Sequence, residues 1–97
     1  MAAEDLIPGS VLDTALNMVL REYESAARAW PAMQSAHEGY AVILEEIDEL
    51  WDEVKAQDFH RMEEEAVQVA AMAMRFVIDV CRKPADEETK PTPEETT

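Results

Sequence analysis

The spacing of apolar residues in the middle of the chain constrains the fold more than any other feature. From Ser35 onward, apolar side chains recur three and four positions apart, at Tyr40, Ile43, Ile47, Leu50 and Val54. A helix of 3.6 residues per turn brings such positions onto one face, whereas a strand would distribute them over both faces. The segment is therefore predicted to be an amphipathic α-helix that buries one side.

Two further segments, residues 10–29 and 58–82, repeat this spacing. Each of the three predicted helices opens on a residue whose side chain can accept a hydrogen bond from the first turn, namely Ser10, Ser35 and Asp58. The two serines are followed three positions later by an acidic residue, which is the spacing of a capping box. The chain is predicted to be all-α, with three helices.

The third helix is apolar around most of its circumference, because valines, methionines and alanines flank its seam on both sides. Such a helix needs burial partners on two sides. Three helices offer little core for this purpose, so we expect one partner to come from a second subunit. The predicted architecture is an antiparallel helical bundle formed by a homodimer, in which dimers can pair further into a tetramer.

Composition divides the chain into three parts. Residues 1–9 form a short leader that ends at a Pro-Gly turn, and residues 10–82 form the helical domain. Residues 83–97 consist of Pro, Thr, Glu, Asp and Lys with one Ala. Such a segment cannot bury enough apolar surface to offset the entropy lost on ordering, so we expect a disordered acidic tail.

The net charge of −14 at pH 7 restricts the classes of partner. Proteins that bind nucleic acid through phosphates, or anionic membrane surfaces, need clustered Lys and Arg, so neither partner is expected. No secretory signal or membrane-spanning run is visible, and the cytoplasm is the expected location. The single cysteine, Cys81, excludes an intrachain disulfide and a cysteine-based zinc site.

Two acidic clusters border the apolar faces of the second and third helices. Glu45, Glu46 and Glu49 lie within one turn of each other, where like charges repel. Glu65 lies about 40° from Val69 around the third helix, nearly on its apolar face. One interpretation is a solvated acidic surface, which is usual for charge runs. The interpretation that we favour is a divalent-metal site shared by two antiparallel helices.

The spacing of these carboxylates resembles that of the all-α MazG-like nucleoside triphosphate pyrophosphohydrolases. Their signature is Glu-Glu-x-x-Glu on one helix and Glu-x-x-Asp on the next. Glu45, Glu46 and Glu49 match the first half, and Glu65 begins the second, in which Gln68 replaces the aspartate. The run from 37 to 51 is similar to small, often phage-associated members of the group, and the resemblance covers roughly residues 10–82.

The resemblance implies hydrolysis of a nucleoside triphosphate to the monophosphate and pyrophosphate, with Mg²⁺ (or Mn²⁺) as cofactor. Glu46 and Glu49 would be the catalytic residues. The glutamine side chain can coordinate through its carbonyl oxygen but brings no charge, and charge contributes to the affinity for such cations. The implied metal ligands are Glu45, Glu46, Glu49, Glu65 and Gln68.

Because the chain is acidic, phosphate contacts would come from its few cations. Arg61 is the first candidate because it shares an edge of the helix with Glu65, and Lys55 and Arg75 are the others. Arg75 is also at ion-pair spacing from Asp79. Two alternatives stay open: a non-catalytic acidic module that binds a basic protein, and a family member that keeps the bundle without catalysis.

Three aromatic residues, Trp30, Tyr40 and Trp51, could stack on a nucleobase. Aromatic residues at helical spacing are more often part of a core, and that is the assignment we favour for them.

Overall fold

The computed structural model describes residues 9–82, and this part of the chain is helical and contains no strand. Helix α1 spans Val11–Ala29, α2 spans Ala36–Ala56 and α3 spans Phe59–Phe76, and α3 continues into a π-helical turn at Val77–Cys81. The all-α prediction is confirmed. Within the described part of the chain, no helix is long and apolar enough to cross a membrane.

The predicted parts at the two ends of the chain lie mostly outside the described residues. Of the leader, residues 1–9, only Gly9 is described, and the predicted tail, residues 83–97, is not described.

All three predicted N-terminal caps are confirmed. The side chains of Ser10, Ser35 and Asp58 each accept a hydrogen bond from the backbone N–H three residues further on, at 3.0–3.1 Å. In both predicted capping boxes the acidic side chain accepts from the residue before the cap rather than from the cap residue: Asp13 Oδ2 from the N–H of Gly9, at 3.3 Å, and Glu38 Oε1 from the N–H of Gln34, at 2.6 Å. The Glu38 bond therefore fastens the residue before the cap and so sets the direction in which the chain enters α2.

The connection between α1 and α2 is fastened to the end of α3. Trp30 is extended, as the residue before a proline usually is, and ends α1. The guanidinium of Arg75 donates to the carbonyl oxygen of Pro31 at 2.6 Å, and the N–H of Met33 donates to Asp79 Oδ2 at 3.0 Å. Arg75 and Asp79 also form the expected ion pair, at 3.6 Å. This network holds the α1–α2 connection against the end of α3.

A two-residue connection folds α3 back against α2 as an antiparallel pair. Gln57 adopts the left-handed conformation, with φ of 59°, and its N–H bonds to the last turn of α2. At the other end of the pair, Gly39 is buried against α3: a Cβ built there would lie 2.5 Å from the ring of Phe76. Glycine thus permits the close approach of the two helices.

Helix α3 packs against both α1 and α2 and lies between them. Two burial partners of α3 therefore lie in the same chain, and the expected contact with a second subunit stays a prediction. The buried apolar side chains come from the α1–α2 connection and the facing turns of α1 and α3: Ala26, Met33, Ala71 and Met72. Because α2 has α3 as its main neighbour, one flank of α2 is left uncovered.

That uncovered flank carries large apolar side chains. Tyr40, Leu44, Ile47, Trp51 and Val54 are 64%, 41%, 43%, 56% and 38% exposed, and we refer to these five residues as the α2 stripe. The assignment of the aromatic residues to the core is wrong for the single chain, since Trp30 is likewise 65% exposed. The apolar residues of α2 share one face, as predicted, but α3 covers only one edge of that face.

Candidate metal centre

Three carboxylates from α2 and α3 meet at one point. One oxygen from each of Glu46, Glu49 and Glu65 lies within 4.8 Å of the others. Divalent cations bind carboxylate oxygens at about 2.0–2.6 Å, so ligands on opposite sides of one ion are up to about 5 Å apart. The structure therefore brings together the acidic residues of the two helices at a separation that suits a single cation.

The carboxylate of Glu65 carries an independent sign of a missing partner. Its Oε1 atom is buried and accepts no hydrogen bond from any described residue. Buried polar atoms are almost always paired, because leaving one unpaired costs the free energy of its lost hydration. A cation against this oxygen would provide the partner, so the donor set fits a metal ion.

Burial and repulsion by neighbouring carboxylates raise the pKa values of Glu46 and Glu65. The pKa of Glu46 is raised to about 7, first by burial and then by the charges of Glu49 and Glu65. The pKa of Glu65 is raised by burial and by Glu49, while the guanidinium of Arg61 opposes the shift. The ionised cluster is therefore unfavourable by itself, and a divalent cation would stabilise the ionised form in competition with protons.

Of the two other predicted ligands, Glu45 lies beside the triad rather than in it. Glu45 is exposed, and among the described residues it does not belong to the group of converging carboxylates. Its neighbour Glu46 turns toward α3 instead, because 100° separates consecutive residues on a helix. Gln68 is half-buried and lies three residues after Glu65 on α3. Four of the five predicted ligands thus divide into a convergent triad and one residue beside it, Glu45, while Gln68 stays a predicted ligand.

The three predicted phosphate-binding cations already have partners. Arg61 Nε lies 3.7 Å from Glu53 Oε2, and Lys55 Nζ lies 3.4 Å from Asp52 Oδ1. Arg75 is 5% exposed, and its guanidinium is occupied by the α1–α2 connection and its ion pair. The guanidinium of Arg75 therefore stabilises the fold, and the same residue also lines a cleft beside Glu46, whereas Arg61 is the cation whose charge acts on Glu65.

Two clefts border the triad on the side of α1. The first, with a volume of about 400 Å³, has Glu46 in its wall and apolar side chains from Met33, Val42 and Met72. The exposed indole of Trp30 lies at its edge, and we refer to it as the Trp30 cleft. Its mixture of apolar lining and a few polar groups is typical of a small-molecule site.

The second cleft, of about 570 Å³, lies between α1 and α3 and has Glu65 in its wall. Arg21 of α1 lines it, and we refer to it as the Arg21 cleft. Glu22, Ser25 and Gln68 line both clefts, so the two are neighbours. A ligand that reaches into both would pass along the triad.

The sequence did not single out α1 as part of the site. Arg21 and Ser25 lie four positions apart, so they share a face of α1, and that spacing was the available signal. Helical spacing groups residues on a face but does not identify the neighbour that the face meets. Only the packing of α1 against α3 shows that these residues border Glu65.

Compared with models of protein families, with curated proteins and with solved structures, the chain matches none. The function is therefore argued from the geometry of the site.

Proposed function

We propose that this protein is a metal-dependent nucleoside triphosphate pyrophosphohydrolase of the MazG-like type, acting in the cytoplasm. The observation that carries the proposal is the convergence of Glu46, Glu49 and Glu65, in which the buried Oε1 atom of Glu65 accepts no hydrogen bond from residues 9–82. Mg²⁺ prefers oxygen ligands and completes its shell with waters and substrate phosphates, and Mn²⁺ suits similar ligands. An acidic triad open to two clefts supports this type of site.

The residues of the site have different roles in the proposed reaction. Glu46, Glu49 and Glu65 would hold the ion, which when bound neutralises phosphate charge and polarises a phosphoryl oxygen. Water adds to the α-phosphorus, the bond from that phosphorus to the bridging oxygen breaks, and pyrophosphate leaves. Glu46 or Glu49 accepts the proton of the water, acting as a carboxylate general base. Glu45 and Gln68 line the Trp30 cleft and so lie beside this site.

The Trp30 cleft suits the nucleoside. Its volume of about 400 Å³ lies within the usual range for small-molecule sites, roughly 300–1,000 Å³. The methionine side chains offer an adaptable apolar surface, and the exposed indole of Trp30 offers a face for stacking. The exposure of Trp30, which removes it from the core, thus supports a role in binding.

The test is a screen for pyrophosphate release over canonical and modified nucleoside triphosphates, with Mg²⁺ and with Mn²⁺. We expect at least one substrate to be cleaved, and Glu49→Gln to lower the rate at least a hundredfold, the order of magnitude for losing one catalytic group. Glu63→Gln is the matched control, because Glu63 is an exposed residue of α3 that lines neither cleft.

Other results would favour one of the two alternative functions. A metal-dependent rise in melting temperature without hydrolysis of any nucleotide would indicate a bundle that has lost catalysis. No metal effect, together with salt-sensitive binding to a basic protein, would indicate an acidic binding module instead. Equal loss of activity in E49Q and E63Q would contradict the role of the triad.

We also propose that the protein is a homodimer joined through the α2 stripe. The residues of the stripe alternate four and three positions apart, which is the spacing of a seam between two helices. Large side chains bury about 150–250 Å² each, so the exposed fractions amount to roughly 500 Å² per chain. That is more than half of the about 800 Å² per partner of a stable interface. A second copy offers the same spacing and would cover the stripe.

The dimer is tested by the mass of the particle in solution. Leu44→Glu in the stripe should convert a dimer, or a tetramer built from dimers, into smaller particles in light scattering. Leu20→Glu on α1 is the control, because Leu20 is 46% exposed and Leu44 is 41% exposed. A wild-type monomer at all concentrations, or the same mass in both variants, would contradict this interface.

A further inference from the structure

Arg21 differs from the cations that the sequence suggested for phosphate binding. It is exposed on α1 and lines the Arg21 cleft, which also has Glu65 and Gln68 in its wall. Within the described part of the chain, no carboxylate oxygen lies within 4.0 Å of its guanidinium. Arg21 is therefore a cation beside the candidate metal centre whose hydrogen-bond donors are not occupied by any residue from 9 to 82.

Three carboxylates, those of Glu22, Glu64 and Glu65, line the same cleft, and none of them lies within 4.0 Å of the guanidinium. Glu64 lies 3.2 Å from the imidazole of His60, one turn earlier on α3. Arg61 and Lys55 are paired with Glu53 and Asp52. Arg21 is thus the positive group of this cleft that keeps its charge available, in a protein whose net charge of −14 repels a free triphosphate.

We infer that Arg21 binds the outer phosphates of the triphosphate substrate. The inference rests on the proposed function and identifies the part of the substrate that occupies the Arg21 cleft. A nucleoside in the Trp30 cleft would direct its phosphates past the residues shared by both clefts, Glu22, Ser25 and Gln68, toward Arg21. The planar guanidinium matches two phosphate oxygens at once, which a lysine ammonium does not.

The position of Arg21 across the cleft from Glu65 gives this contact a second role. The acidic triad and the guanidinium lie on different helices, α3 with α2 on one side and α1 on the other. A triphosphate bound to both would bridge α1 and α3, which otherwise meet mainly through apolar side chains such as Ala26 and Met72. Substrate binding would therefore restrain α1.

The experiment measures binding without turnover. The probe is an α,β-methylene nucleoside triphosphate, in which a carbon replaces the bridging oxygen of the bond that would break. Calorimetric titrations in Mg²⁺ compare the wild type with Arg21→Gln and Arg21→Lys. Arg28→Gln is the matched control, because Arg28 is exposed on the same helix, changes the charge equally and lines neither cleft.

We expect R21Q to raise the Kd about tenfold to a hundredfold, the usual effect of losing one charge-assisted hydrogen-bonding group, and R28Q to change it less than about twofold. R21K should fall between them, because it keeps the charge and loses the planar fork. Inorganic tripolyphosphate, which has no nucleoside, should show the same order of variants. In hydrolysis assays, R21Q should raise KM more than it lowers kcat.

The outcomes separate this inference from the proposed function. If the wild type binds the analogue and R21Q equals R28Q, the role of Arg21 is wrong while the pyrophosphohydrolase proposal stands. If R21Q weakens the nucleotide analogue but not tripolyphosphate, Arg21 contacts the nucleoside, and the assignment to the phosphates is wrong. If the wild type binds neither probe and releases no pyrophosphate, the proposed function fails and this inference fails with it.

Discussion

Glu65 on α3 lies near enough to Glu46 on α2 for one cation to contact an oxygen of each, within 4.8 Å. The two residues belong to different helices of an antiparallel pair, so the contact depends on the turn at Gln57 and on the close approach at Gly39. The pair places two negative charges close together in a partly buried position, where they repel each other. The stability of the protein is therefore sensitive to metal, pH and charge.

The Glu65→Gln variant should separate the effects of charge and of metal on stability. Without metal, at pH 8, we expect a higher melting temperature than that of the wild type, because one of three mutually repelling carboxylates is removed. A gain of about 1 kcal/mol corresponds to roughly 4–8 °C in a domain of this size. With Mg²⁺, the wild type should gain stability and E65Q should gain little. Thermal unfolding followed by circular dichroism, in EDTA and in Mg²⁺, measures both.

Glu63→Gln serves as the control for this comparison, because Glu63 is exposed on the same helix. It should leave the response to metal intact. A metal-free E65Q protein that melts below the wild type would show that Glu65 stabilises the fold through contacts other than a cation.

The metal-free protein should lose stability as pH rises from about 4.5 to about 7. The pKa of Glu46 is raised from 4.5 to about 7 in the folded protein, so in this window the folded state binds more protons than the unfolded state. The contribution of Glu46 to the free energy of unfolding is fully present below the pKa of the unfolded state, 4.5. It is lost as the pH rises through the pKa of the folded state, about 7. The raised pKa of Glu65 acts in the same direction.

Urea unfolding in EDTA at a series of pH values measures this dependence. Glu46→Gln should flatten the curve over the same window, because the amide does not titrate. A wild-type stability that rises from pH 5 to pH 7 would contradict the repulsive cluster.

The Gln68→Asp variant should bind Mg²⁺ more tightly than the wild type. Gln68 lies three residues after Glu65 and borders both clefts, and a carboxylate there adds charge beside the triad. We expect about a tenfold lower Kd, equivalent to roughly 1.4 kcal/mol. Gln68→Asn is the control, because it has the shape of aspartate without the charge. Calorimetric titration with Mg²⁺ would contradict a ligand role for this position if Q68D and Q68N gave the same Kd.

Removing the guanidinium of Arg75 should destabilise the fold more than any surface substitution. Arg75→Met leaves the carboxylate of Asp79, with its side chain 15% exposed, and the carbonyl oxygen of Pro31 without their cationic partner. Losing one member of a buried pair costs about 3–5 kcal/mol. Urea unfolding should show this loss in R75M and little change in Arg82→Met, because Arg82 is exposed.

A double variant tests whether the loss comes from the unpaired charge. Combining R75M with Asp79→Leu should cost less than the sum of the single substitutions, because neither charge is then left alone. Additive losses would instead assign the effect of Arg75 to packing.

The local features of the fold were predicted from the sequence. Ser10, Ser35 and Asp58 cap the helices as expected, since a cap depends on atoms within one turn. The meeting of Glu49 with Glu65 also followed from their positions on two helical faces. The assignment of Trp51 to the core failed because an apolar face shows that a helix needs a neighbour without showing how far that neighbour reaches.

The sequence by itself determined the three helices, their first residues and the edges on which their carboxylates lie, because these depend on spacing along one helix. Tertiary structure decided that α3 lies between α1 and α2, that Arg75 stabilises the α1–α2 connection, and that Arg21 lines the same cleft as Glu65. The physical reason is that helix packing depends on how side chains distant in the chain fit together. A local pattern of charge and hydrophobicity does not contain that fit.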